Sequence, residues 1–333
     1  MAIGVIGAGG WGTALAKILC EQGHRVALWC HSKETLQGIR ATAQNQSYLP
    51  DISLPIELEV TQSLQTVTAH RDLILCTTPS HFLREIMTEA APFVDPEAII
   101  ACGSKGIEES SLMTMGEVLA DVLGRAHEQQ LAFLSGPTFA LEVARGLPSA
   151  LTVASSRDKI ATTVQKSLST PGMRVYTSAD TIGVQMGGVV KNVIAIAAGV
   201  SDGLGLGNNA RAALITRGLA EMARLGAKMG AHPATLSGLP GLGDLVLTCT
   251  GDLSRNRRVG LEIGRGRHLD EIVAETKTVA EGVRNTRSIH SLAARLGVEM
   301  PIVDQMYRVL YEGKDVTQGV KDLMGRTLKA ESG

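Results

Sequence analysis

The sequence predicts an α/β architecture, with an N-terminal doubly wound parallel sheet over residues 1–182 and an all-α part over residues 183–333. Three observations predict it. The chain opens on a strand, a glycine turn and a helix. Strand-like and helix-like runs then alternate as far as residue 180, and beyond it helical spacing and glycine caps leave hardly any strand-like run.

The opening run Ala2-Ile3-Gly4-Val5-Ile6 is apolar, and Gly7-Ala8-Gly9-Gly10-Trp11-Gly12 follows at once, before the helical spacing of Thr13 to Leu19. Strand, G-x-G-x-x-G and helix in that order form a Rossmann-type dinucleotide fingerprint. Gly7 allows the tight turn, Gly9 lets the backbone approach a pyrophosphate, and Gly12 lets helix and strand pack closely. The first-turn N–H groups and the positive end of the helix dipole face the phosphates. Outside such a context the motif is only a flexible turn.

Arg25 to Trp29 reads as the second strand. A carboxylate about 20 residues after the turn would hold the ribose hydroxyl of NAD; here Cys30-His31-Ser32-Lys33 stand instead. With a cation nearby and no carboxylate to repel a 2′-phosphate, NADP is expected to be accepted and somewhat favoured over NAD. The alternative is a solvated His31–Lys33 loop with Glu34 on the ribose. Residues 34–70, with Pro50 and Pro55, read as a loop with one short element and no assigned chemistry.

Asp72 to Cys76 is the third strand, ending in Thr77-Thr78-Pro79-Ser80; a helix over 81–91 and a fourth strand, Ala98 to Cys102, follow. That strand ends in Gly103-Ser104-Lys105-Gly106. Ligands of open α/β sheets sit at the carboxyl ends of strands, so Lys105 points a cation toward the cofactor cleft unless it is merely a solvated loop lysine. After a helix over 111–124, the fifth strand Leu131 to Leu134 runs into Ser135-Gly136-Pro137-Thr138-Phe139-Ala140, where Gly136 offers close approach and Thr138 a hydroxyl. Ala150 to Ala154 and Arg174 to Thr177 are two more strands around a helix over 158–169.

In the helical part, Gly187 to Gly199 is apolar nearly all round, which predicts a buried helix, and Lys191 and Asn192 interrupt it. A buried lysine must be paired or lose its proton, unless its stem snorkels outward. Asp244 follows the glycine loop Gly238 to Gly243 at a helix start, where capping alone would explain it. Ser254, Arg255 and Asn256 form a donor cluster suited to phosphate oxygens, with a solvated basic patch as the alternative. Val279-Ala280-Glu281-Gly282 brings an acid in a short loop toward the nicotinamide ribose or carboxamide.

At 333 residues with 44% hydrophobic content, two parts can each bury a core. A formal net charge of -1 gives no general pull toward nucleic acid or membrane. The five cysteines are scattered, with no C-x-x-C, and read as buried thiols; no metal is expected. Met1 leads straight into the first strand and no uncharged apolar stretch reaches about 18 residues, so neither a signal peptide nor a membrane span is expected and a cytoplasmic protein is.

Together GAGGWGTALA at 7–16, SKG at 104–106, SGPTFA at 135–140, VKN at 190–192, GLPGLGDL at 238–245, SRNRRVG at 254–260 and VAEG at 279–282 resemble the bacterial NAD(P)-dependent glycerol-3-phosphate dehydrogenases. The resemblance implies reversible reduction of dihydroxyacetone phosphate to sn-glycerol 3-phosphate, supplying glycerophospholipid synthesis, in a homodimer. It implies that Lys191 is proton donor and acceptor, and that Lys105, Gly136, Thr138, Asp244, Ser254, Arg255 and Asn256 line the substrate, with Asn192 beside them. It places Gly10, Trp11, His31, Lys105, Ala140, Arg255, Val279 and Glu281 on the cofactor with Gly7, Gly9 and Gly12. The family often has Ser at the positions of Gly10 and Thr138. A 6-phosphogluconate-type dehydrogenase is the nearest rival, but that family pairs its lysine with an Asn four residues on, where Ala195 stands here. A nucleotide-sensing module without turnover leaves Lys191, Asp244 and the Ser254–Asn256 cluster without a task.

Overall fold

The computed structural model describes residues 1–275, 280–328 and 330–331. The strands in chain order are β1 Ala2–Ile6, β2 Arg25–Trp29, β3 Gln44–Asn45, β4 Leu49–Ser53, β5 Glu59–Thr61, β6 Leu73–Cys76, β7 Ile99–Cys102, β8 Leu131–Ser135, β9 Ser149–Ala154 and β10 Met173–Ser178. Eight of them form one sheet in the order β10-β9-β8-β7-β6-β1-β2-β5, and β3 and β4 form a separate hairpin. The alternating strands and helices come from apolar runs that are buried on both faces, as in β1, β6, β7 and β8.

Two features depart from expectation, one in the stretch read as loop and one in the direction of a strand. β5 adds a strand from the stretch read as loop, pairing Ala27 with Glu59 through Trp29 with Thr61. At the other edge β9 runs antiparallel to β8, and β10 runs parallel to β9. A parallel return needs a crossover that carries the chain back along the sheet. Between β8 and β9 there is only the five-residue helix Ala140–Ala144, which leaves the chain at the edge where β8 ended. The eleven-residue helix Asp158–Leu168 between β9 and β10 is long enough to make that return.

The strand order reverses between β1 and β6, which puts the glycine turn after β1 and the Thr77–Ser80 turn after β6 at the switch point of the sheet. Gly7 has φ +118. A Cβ on Gly12 would lie 1.9 Å from the Gly7 carbonyl oxygen, so the first helix, Gly10–Glu21, docks on its own strand only with glycine there.

After β10 the chain is helical. The helix Thr181–Gly203 forms the axis of this part, and buries almost every residue from Gly183 to Ser201. By length and composition it could cross a membrane, but 89% of its apolar window lies inside the protein, packed against neighbouring helices. Its closest neighbour is Arg255–Gly264: a Cβ on Gly199 would come 2.0 Å from the Arg257 carbonyl oxygen, and one on Gly260 equally close to that of Ile196. The two backbones therefore touch, which fixes Asn192 against Asn256 across the seam. Glu221 is used structurally: its buried carboxyl accepts the N–H groups of Ile302 (2.7 Å) and Val303 (3.2 Å) at the start of the helix Pro301–Tyr311. All five cysteines are buried and unbridged.

Candidate active site

The buried lysine has its partner. Lys191 is 7% exposed and Asp244 1%. Lys191 Nζ donates to Asp244 Oδ1 at 2.5 Å and to Thr248 Oγ1 at 3.0 Å. Lys105 Nζ donates to the other carboxylate oxygen, Asp244 Oδ2, at 2.7 Å, and Ser135 Oγ stands 3.5 Å from it. Local structure explains the placement. Leu239–Gly243 winds as one π-type turn, and Asp244 is the first residue of the helix Asp244–Thr250 that follows. Its side chain caps nothing; Gly243 is the N-cap. Thr248, four residues on, shares the face of that helix and binds the main-chain oxygen of Asp244 at 2.6 Å.

Two ammonium groups on one buried carboxylate leave a net positive cluster. Burial pushes the Asp244 carboxyl up, but Lys105 and Lys191 outweigh it and hold the group below the usual carboxylate range. Burial pushes Lys191 down, to about 8; Asp244 works against that fall and Lys105 adds to it. The amine is therefore poised to exchange a proton near neutral pH.

The cluster joins the sheet to the helical part. Lys105 lies in the turn after β7, and a Cβ on Gly188 of the axial helix would come 3.2 Å from its Cδ. Asn285 Nδ2 donates to the Lys105 carbonyl at 3.1 Å. Two residues earlier, a Cβ on Gly103 would come 3.1 Å from Trp11 Nε1, so Trp11 of the glycine turn borders the same seam. At the turn itself the helix N-terminus at Gly9 has no side-chain cap, and a Cβ on Gly9 would meet nothing within 4 Å. Free first-turn N–H groups beside open space fit a pyrophosphate. Gly10 is crowded instead, by the Tyr48 carbonyl and by Ala140. His31 is exposed at the end of β2, with its ring 5.7 Å from that of Trp29.

Other expected residues sit nearby with different tasks. A Cβ on Gly136 would lie 2.9 Å from the Ala150 oxygen, so its size answers to the β8–β9 contact. Thr138 Oγ1 donates to the Gly136 carbonyl at 3.2 Å, and Pro137 packs beside Gly243. Ser254 is a helix N-cap whose Oγ accepts from the Arg257 N–H, leaving its own proton free to donate. Asn256 is internal: Nδ2 donates to Asn192 Oδ1 at 2.9 Å and Oδ1 accepts from the Gly282 N–H at 3.0 Å. Asn192 Nδ2 is 3.4 Å from the Gly188 carbonyl. Arg255 is exposed at the start of its helix, with no hydrogen bond or ion pair among the described residues. Burial pushes the Glu281 carboxyl up, while Arg255, Lys105 and Lys191 pull it back, so it lies within the field of the cluster. Val279 lies outside the described residues. Sequence reasoning did not single out Thr248, Ser135 or the β3–β4 hairpin; only Thr248 had a signal, its i+4 spacing from Asp244.

A phosphate-ready turn at a sheet's switch point, facing a buried lysine–carboxylate cluster on a helical partner, belongs to the class of two-part dinucleotide-dependent oxidoreductases. The comparisons narrow the class. Residues 2–161 match the family model for the N-terminus of NAD-dependent glycerol-3-phosphate dehydrogenase, and residues 180–321 match the model for its C-terminus. The chain is 54% identical over 331 residues to an NAD(P)-dependent glycerol-3-phosphate dehydrogenase of Syntrophotalea carbinolica, covering 99% of each. It is 52% identical to one from Citrifermentans bemidjiense, covering 99% of this chain and 98% of that one. A crystal structure of glycerol-3-phosphate dehydrogenase from Coxiella burnetii superposes with a TM-score of 0.93 at 42% identity, over 98% of this chain and 99% of the other. The chain belongs to the NAD-dependent glycerol-3-phosphate dehydrogenase family.

Proposed function

We propose that this chain interconverts dihydroxyacetone phosphate and sn-glycerol 3-phosphate with NADPH or NADH, residues 1–182 holding the dinucleotide and 183–333 the substrate. The observation that carries the chemistry is the buried Lys191–Asp244–Lys105 cluster in the seam between them. When bound, the nicotinamide supplies the hydride to C2 in reduction and takes it up in oxidation. The Gly7–Gly12 turn holds its pyrophosphate, with Trp11, His31, Ala140, Arg255 and Glu281 along the rest of the cofactor.

An ammonium has three donors. Lys191 uses one on Asp244 and one on Thr248, which leaves one for the substrate C2 oxygen. There it polarises the carbonyl and delivers the proton as hydride arrives; in oxidation the neutral amine takes that proton back. Asp244 stays ionised and aims the amine. Lys105 puts a second positive charge beside the developing alkoxide. The substrate phosphate is clamped by the Arg255 guanidinium, the Ser254 hydroxyl and the N-terminal N–H groups of the helix Arg255–Gly264, with Asn192, Asn256, Gly136 and Thr138 shaping the wall. This remote binding holds C2 in place for transfer.

Arg255→Ala is expected to raise KM for dihydroxyacetone phosphate by about ten- to a hundredfold, the worth of a charge-assisted contact, with an unchanged circular dichroism spectrum. An unchanged KM removes Arg255 from the role. NADPH is favoured because His31 and Lys33 stand at the end of β2 where a carboxylate would repel a 2′-phosphate, and because the Ser32-capped helix Lys33–Thr42 starts there. The deciding experiment mixes protein, dihydroxyacetone phosphate and either NADPH or NADH and follows the ultraviolet absorbance of the reduced nicotinamide. Substrate-dependent oxidation is expected, faster at low concentration with NADPH; no oxidation with either cofactor contradicts the proposal. A cytoplasmic protein, and the homodimer feeding glycerophospholipid synthesis that the resemblance implies, complete the reading; a monomer in sedimentation would remove the dimer.

A further inference from the structure

The β3–β4 hairpin belongs to the stretch without assigned chemistry, yet it reaches over the glycine turn. Asn45 in β3 is 2% exposed. Its Nδ2 donates to the Ala8 carbonyl at 2.8 Å and to Thr13 Oγ1 at 2.8 Å. On the neighbouring carbonyls, Thr77 Oγ1 lies 3.1 Å from the Ile6 oxygen and 3.0 Å from the Gly7 oxygen. Side chains from the β3–β4 hairpin and from the turn after β6 thus engage the carbonyls of Ile6, Gly7 and Ala8 in succession.

Asn45 Oδ1 is buried without a hydrogen-bond partner. A bare buried acceptor is unfavourable, so the amide is not explained by packing; what it contributes lies on its donor side. A trans peptide points its N–H opposite its C=O. Pinning the Ala8 carbonyl therefore sets the direction of the Gly9 N–H, beside the open space at Gly9. The bond to Thr13 ties the same amide to the first turn of the helix that follows.

We propose that Asn45 is a positioning residue for the cofactor pyrophosphate: it holds the Ala8–Gly9 peptide and the helix start in the orientation that presents their N–H groups to the phosphates. This rests on the reading of the Gly7–Gly12 turn as a dinucleotide site, and the test separates the two.

The test is a calorimetric titration of wild type, Asn45→Asp and Asn45→Ala with ADP-ribose, which carries the pyrophosphate, and with adenosine 2′-monophosphate, which does not. Asn45→Asp keeps the shape and removes both donors. The expected result is ADP-ribose binding weakened about tenfold in both variants, the worth of one to two neutral hydrogen bonds, with adenosine 2′-monophosphate binding held within about twofold of wild type. Equal weakening of both ligands would show a general structural role and overturn the proposal, as would no weakening of either. Should both variants fail to fold, Thr13→Val removes one of the two acceptors with little change of shape, and the same selective loss is expected, smaller in size; its absence overturns the proposal. Wild type that binds neither ligand overturns the dinucleotide reading itself.

Discussion

Lys191→Ala lowers kcat for reduction of dihydroxyacetone phosphate by about two to four orders of magnitude, the usual contribution of a positioned acid–base group. The loss is chemical and not a collapse of the site, because Asp244 keeps its second cation. Lys105 Nζ remains 2.7 Å from Oδ2, so the substitution leaves no unpaired buried carboxylate. Cofactor binding depends on the turn at Gly7–Gly12 and is expected to persist. Steady-state kinetics with ADP-ribose titration alongside checks both parts; a kcat within about threefold of wild type would mean the proton comes from elsewhere.

Asp244→Asn acts differently, on stability and on protonation at once. It leaves the buried Lys191 ammonium facing the half-buried Lys105 ammonium without the carboxylate that joins them. Removing one partner of a buried ion pair costs about 3–5 kcal/mol. Asp244 is the group that holds the Lys191 proton on against burial and Lys105. Without it the amine titrates at still lower pH, carries its proton less of the time at neutral pH and is no longer aimed, and kcat for reduction falls by about two orders of magnitude or more. The sign of the stability effect follows. A lysine whose folded pKa lies below its unfolded value binds its proton more weakly when folded, so stability rises with pH from the folded pKa up to the unfolded one. The variant is therefore least stable in acid and regains stability as the pH is raised, which urea unfolding at two pH values measures. A variant as stable as wild type at neutral pH would show that the carboxylate does not hold the cluster together.

The legible parts of this molecule are those whose signals are local. The glycine turn, the apolar strands and the switch to helical spacing near residue 180 all lie within short windows of sequence. The direction of β9 was not legible, since it depends on how far Ala140–Ala144 carries the chain and not on the strand's own residues. Asn45 bonds to Ala8 and Thr13 across 37 and 32 residues, and nothing in its own neighbourhood marks it. Lys191 and Asp244 are 53 residues apart; a charged side chain inside an apolar helix called for a partner, and Asp244 stood out after its glycine loop, but no local signal shows that the two meet. Ser254 and Asn256 read as open donors because a residue type shows its hydrogen-bonding capacity, whereas the structure shows how much is already spent on the Arg257 N–H, Asn192 and Gly282.

The pH dependence of kcat/KM in both directions tests the central claim most directly, because one amine must serve as acid in reduction and as base in oxidation. With Lys191 pushed down to about 8 by burial and by Lys105, kcat/KM for reduction should fall as the pH rises through that value, and kcat/KM for oxidation should rise through the same value. In Asp244→Asn both limbs should move to lower pH together. Flat profiles across that region in wild type, or limbs that stay in place when Asp244 is changed, would contradict a proton carried by Lys191 under the control of Asp244.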